Sequence, residues 1–119
     1  MDIGEIFISS SKKTKHPFVF LSNKDDEKFY ACMITHARRH PNNIPFLPSH
    51  FKSSDELGFP FTVVFDNSNL VKLQLEKNHG WGTFIKVGEL TQEGIDFLIN
   101  QLDDADKTTW RVYKSGISA

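Results

Sequence analysis

Short stretches in which apolar and polar residues alternate with a period of two recur along this chain, at 5–9, 18–22, 29–35, 44–47, 61–65, 70–75 and 83–87. They are rich in β-branched and aromatic residues, chiefly Val, Ile and Phe, and a period of two gives one apolar face only to extended backbone. Between them lie Asn23-Lys24-Asp25-Asp26-Glu27-Lys28 and Asp66-Asn67-Ser68-Asn69. Asn and Asp suit tight turns because their side chains bond nearby backbone and tolerate left-handed conformations. Both segments therefore read as hairpin connections in an antiparallel sheet.

One later segment has a helical period instead. Over residues 91–102, Ile95, Leu98, Ile99 and Leu102 recur at i, i+3, i+4 and i+7, Thr91 can cap the N-terminus, and Glu93 lies in the first turn. Gly94 weakens such a helix by about 1 kcal/mol relative to Ala, and three aspartates crowd its C-terminal end. Short strands with one late amphipathic helix predict a mainly β domain: a small antiparallel barrel or strongly bent sheet flanked by a helix. Residues 114–119 read as a frayed tail.

Composition narrows the setting. At 119 residues with 39% hydrophobic and 24% charged, the whole of 1–119 reads as a single globular domain, large enough to bury roughly two thirds of its unfolded surface without disulfides. A lone cysteine, Cys32, has no intrachain partner, which favours a reducing compartment. The acidic opening Met1-Asp2-Ile3-Gly4-Glu5 is unlike a signal peptide, and no apolar run nears the ~20 residues of a membrane helix. The expected location is the cytoplasm, away from membranes. Net charge is only −1, yet residues 1–52 carry eight Lys/Arg against five Asp/Glu, while 53–119 carry six against ten. Four of the five histidines also lie in the first part. A local basic surface is compatible with that distribution.

The candidate chemistry gathers at the open end of the first hairpin. If Ser22 faces Phe29 across the turn, paired residue numbers sum to 51, and His16 falls opposite Thr35. Opposed residues on one face have Cβ atoms about 4.5–5.5 Å apart, close enough to act on a single phosphate. Imidazole exchanges protons near neutral pH and a threonine hydroxyl bonds a phosphate oxygen, a combination suited to phosphodiester cleavage. The bland reading is a surface histidine before Pro17 beside a strand-end threonine. The flanking segments carry Lys12, Lys13 and Lys15 on one side and His36, Arg38 and Arg39 on the other, a concentration of positive charge suited to an RNA backbone or simply to solvent. His36 and His40, with His50 and Cys32 in the neighbourhood, also raise zinc. Pro41 argues against a helix there, and no compact Cys/His set completes a tetrahedral site, so neither a metal nor another cofactor is expected.

Read in order, Gly4-Glu5-Ile6-Phe7, Lys15-His16-Pro17-Phe18-Val19-Phe20-Leu21-Ser22, Cys32-Met33-Ile34-Thr35, Asn43-Ile44-Pro45 and Val87-Gly88-Glu89-Leu90-Thr91 resemble successive segments of the MazF/PemK (Kid-like) toxins. The resemblance runs from residue 4 to 102. It implies an SH3-like barrel that forms a homodimer, is silenced by an antitoxin protein and cuts single-stranded mRNA without a metal, as part of a plasmid-maintenance or growth-inhibition module. The family's catalytic Thr falls on Thr35, and its catalytic Arg position is occupied by His16. That departure keeps a second reading open: a non-catalytic interaction protein on the same fold, akin to the related gyrase poisons or to a degenerate toxin.

Overall fold

A computed structural model describes residues 1–10, 16–36, 43–81, 83–102 and 107–109. One sheet holds the strands β1 (Glu5–Ser9), β2 (Phe18–Asn23), β3 (Lys28–Thr35), β4 (Asn43–Pro45), β5 (Asn69–Val71), β6 (Gln74–Asn78), β7 (Phe84–Glu89) and β8 (Lys107–Thr109). A 3-10 turn, Pro48–His50, follows β4, and helix α1 (Gln92–Leu102) follows β7. The main strand order is β4-β5-β3-β2-β1-β7, with β6 beside β3 and β8 beside β6. All ladders are antiparallel except β6–β8. Among the described residues no ladder joins β7 to β4, so the sheet is open. The architecture is mainly β, with one α-helix late in the described chain. No helix among the described residues is long and apolar enough to cross a membrane.

Alternation along β1, β2 and β3 builds two apolar faces. Ile6, Val19, Cys32 and Ile34 point to one, where they are sealed by Leu98 and Leu102 of α1 and by Phe46, Phe65, Leu70 and Leu90. Phe7, Phe18, Phe20, Phe29 and Ala31 point to the other. There Phe84 of β7 meets Phe29 of β3 edge-on at 5.7 Å between ring centroids. The two strands are three ladder steps apart, about 14 Å in a flat sheet, so the sheet rolls strongly toward this aromatic face. Lys77 completes the cover, its ammonium 4.9 Å from the Phe18 ring.

Helix α1 matches expectation at its start and departs from it along one edge. The Gly94 N–H donates to Thr91 Oγ1 at 3.1 Å, an N-cap whose own hydroxyl donates to Ser49 O at 2.8 Å. The buried stripe runs through Gly94, Leu98 and Leu102 with Ile95 and Phe97 beside it, and Ile99 faces solvent, half exposed. Expecting Ile99 in the core was wrong by one helical step. Gly94, counted against the helix from sequence, is what lets it dock: a Cβ there would stand 2.3 Å from His50 O.

Three other expectations need correction. Residues 61–65 form no strand. They run without ladder pairing, bent at Thr62, after a tight excursion over 53–61 in which Asp55 Oδ1 accepts from the Leu57 and Phe59 N–H groups. Asp66–Asn67 is still a turn, with Asn67 left-handed at φ 58°, but it does not join two paired strands. Residues 70–75 are two strands and not one. Between the β3–β5 pair Ile34↔Leu70 and the β3–β6 pair Ala31↔Leu75, two residues of β3 face four on the other side. This excess bends the chain at Lys72–Leu73, as a bulge does.

Candidate active site

The β2–β3 hairpin sets the register of the site. At its loop end Ser22 pairs with Tyr30 and Asn23 with Phe29, so the expected Ser22–Phe29 pair is displaced by one. Leu21 is then skipped as a bulge, and Phe20↔Ala31, Val19↔Cys32 and Phe18↔Met33 follow. The bulge cancels the displacement, and beyond it paired numbers do sum to 51. The Ile34 N–H donates to Pro17 O at 3.0 Å, extending that register past the end of β2. His16 and Thr35 are the next residues out.

Both line a cleft of about 470 Å³, together with His36, Val63, Val64 and Phe65. Thr35 is the last residue of β3 and pairs with Asn69 of β5. His36 lies just past the strand, where alternation no longer forces neighbours to opposite faces. His16 and His36 are exposed and Thr35 is half-buried. The cleft is therefore lined by two histidines and a threonine beside an apolar wall, residue types able to move protons and bond an anion. Lys12, Lys13, Lys15, Arg38 and Arg39, expected to hold RNA, lie outside the described residues, as does the 114–119 tail.

The apolar wall escaped the sequence reading. Residues 61–65 look like a strand because Phe61, Val63 and Phe65 alternate, yet Val64 breaks the pattern and is 66% exposed, while Phe65 is buried and stacks on Phe51 at 5.2 Å. Pro60 before the segment and the Val63–Val64 doublet were the available signals. A larger concavity of about 810 Å³, between β4 and the 65–69 turn, shares Phe65 with the cleft, so the two adjoin.

His50 and Cys32, weighed for zinc, and His79 are committed elsewhere. His50 is 3% exposed, its Nδ1 accepts the Leu47 N–H at 3.0 Å, and its ring stacks on Phe97 at 4.4 Å. That bond leaves the proton on Nε2. Cys32 is buried in the core under α1, and burial pushes its thiol far up from the usual range, so it offers no thiolate. His79 Nε2 lies 3.1 Å from Asn23 Oδ1, with its ring 4.7 Å from Phe29. The zinc set of His36, His50 and Cys32 is thus not gathered, and His40 lies outside the described residues. No group of three or more His, Cys, Asp or Glu fit to hold a metal occurs among the described residues.

No protein-family model matches the chain, and no curated protein or solved structure matches it either.

Proposed function

We propose that this chain is a metal-independent endoribonuclease of the MazF/PemK toxin type on an SH3-like fold, cutting single-stranded RNA with His16 and Thr35 at the scissile phosphate. The observation that carries the reading is the cleft in which His16, Thr35 and His36 come together at the open end of the hairpin. Imidazole supplies the proton exchange and the threonine hydroxyl bonds a non-bridging oxygen as charge builds there. The neighbouring concavity beside the 65–69 turn gives a strand room beyond one nucleotide. Lys12, Lys13, Lys15, Arg38 and Arg39 supply charge for the RNA backbone, so Arg38→Ala/Arg39→Ala weakens RNA binding and flattens its salt dependence. In this reading the protein acts in the cytoplasm as a homodimer restrained by an antitoxin protein.

Purified protein incubated in EDTA with a long, mostly single-stranded RNA tests the proposal, run beside His16→Ala and Thr35→Ala. Discrete fragments from wild type that vanish in both variants support it. Intact RNA with a folded protein rejects it and leaves the second reading, a non-catalytic partner-binding protein. A specific observation favours that alternative. Leu57 and Phe59, at the tip of the 53–61 excursion, are 82% and 66% exposed, the kind of apolar projection that docks on another protein.

A further inference from the structure

The geometry points to His36 as a second acid–base group in the cleft, with His16 and His36 dividing between them the two proton transfers of RNA cleavage. The inference rests on the endoribonuclease reading above and gives His36 a role beyond holding the RNA backbone. His16, just before β2, and His36, just after β3, line the same cleft from two different chain segments, with Thr35 between them in its lining. The remaining lining groups, Pro17, Ile34, Val63, Val64 and Phe65, do not titrate. Asp66, the next residue along, lines the adjoining concavity and not this one. Lys15 and Arg38, the nearest cations in sequence, lie outside the described residues. His50 and His79 are held by bonds within the fold, whereas His16 and His36 are exposed and line a cavity large enough for a nucleotide.

The step balances without a co-reactant. One neutral imidazole takes the proton of the ribose 2′-hydroxyl while that oxygen's electron pair forms a bond to the adjacent phosphorus. The bond from phosphorus to the 5′-oxygen breaks, and the second histidine, as imidazolium, gives its proton to that oxygen. The products are a 2′,3′-cyclic phosphate and a 5′-hydroxyl, and the two imidazoles have exchanged protonation states. An imidazolium in the cleft also supplies the positive charge for which no arginine stands at position 16.

The test is the pH dependence of cleavage of a short single-stranded oligoribonucleotide from about pH 5 to about pH 9, for wild type, His16→Ala, His36→Ala and His36→Asn. Wild type gives a bell-shaped profile. Each variant loses one limb and at least about 100-fold in rate at the optimum. A second substrate with sulfur in place of the 5′-bridging oxygen identifies the acid, because a thiolate leaves without protonation. The variant lacking the acid recovers to within about tenfold of wild type on it, and the variant lacking the base does not. The inference is overturned if wild type cuts RNA while the His36 variants keep their rate and both limbs, or if the sulfur substrate rescues neither position. If wild type cuts no RNA, the endoribonuclease reading itself falls.

Discussion

The two ends of the β2–β3 hairpin carry similar residues and use them in opposite ways. At the loop end, Asp25 Oδ1 accepts the N–H groups of Glu27 and Lys28 at 2.8 and 2.9 Å, and Glu76 takes the ammonium groups of Lys24 and Lys28 at 3.0 and 3.1 Å. His79 is tied to Asn23 and laid against Phe29. Charges and imidazole there close on one another. At the open end, His16 and His36 are exposed around a cleft with an apolar wall. Each end borders a concavity of similar size, about 440 Å³ at the loop end and about 470 Å³ at the open end; the difference is that the loop-end charges and imidazole bond within the fold, whereas His16, Thr35 and His36 stand beside the apolar residues Val63, Val64 and Phe65.

Changes at the two ends should have different consequences. His16→Ala is expected to lower RNA cleavage at least about 100-fold while shifting the free energy of unfolding by less than about 0.5 kcal/mol, because the residue is exposed. Parallel cleavage assays and urea titrations separate the two effects. Away from both ends, Gly94→Ala sharpens the contrast from the other side. It improves helix propensity by about 1 kcal/mol, yet its Cβ would press on His50 O. We expect a net loss of about 1–2 kcal/mol in urea unfolding, with cleavage per folded molecule unchanged.

At the loop end, Asp25→Ala removes the acceptor of two backbone N–H groups and should lower the urea unfolding midpoint by less than Gly94→Ala does, with cleavage again retained. Glu76→Gln is the smallest effect. Hydrogen bonds from Lys24 and then Lys28 hold the Glu76 carboxyl below its ordinary value, so the charged form stabilises the fold. Its contribution is complete above the ordinary glutamate range and is lost as pH falls through the lowered folded value. Both lysines are about two-fifths exposed, at 40% and 41%, which keeps the loss near pH 7 to about 0.5 kcal/mol. Unfolding midpoints of wild type and variant should converge in acid; a gap that widens there would contradict the assignment.

Strands β1, β2 and β3 and helix α1 were legible because their patterns answer to local rules: a period of two, Asn/Asp turns, and a threonine cap. The register at the open end was also read correctly, but through two features that offset each other, since the Leu21 bulge restores the pairing that the loop displaces by one. No composition signal marks a bulge of that kind. The 61–65 segment failed for a related reason: alternation records which residues are apolar, and cannot tell a hydrogen-bonded strand from an irregular run that sends Phe65 inward and leaves Val64 outside. His50 looked like a ligand candidate in sequence because only tertiary packing supplies Phe97 and the Leu47 N–H that commit it to the core.

The most direct test of the account is the rate of cleavage of one single-stranded RNA in EDTA by wild type and by His16→Ala, with the unfolding midpoint of each taken from the same preparations. Wild type should cut the RNA, the variant should lose at least about 100-fold, and the two midpoints should coincide. Equal cleavage by both proteins, or no cleavage by a folded wild type, would contradict it.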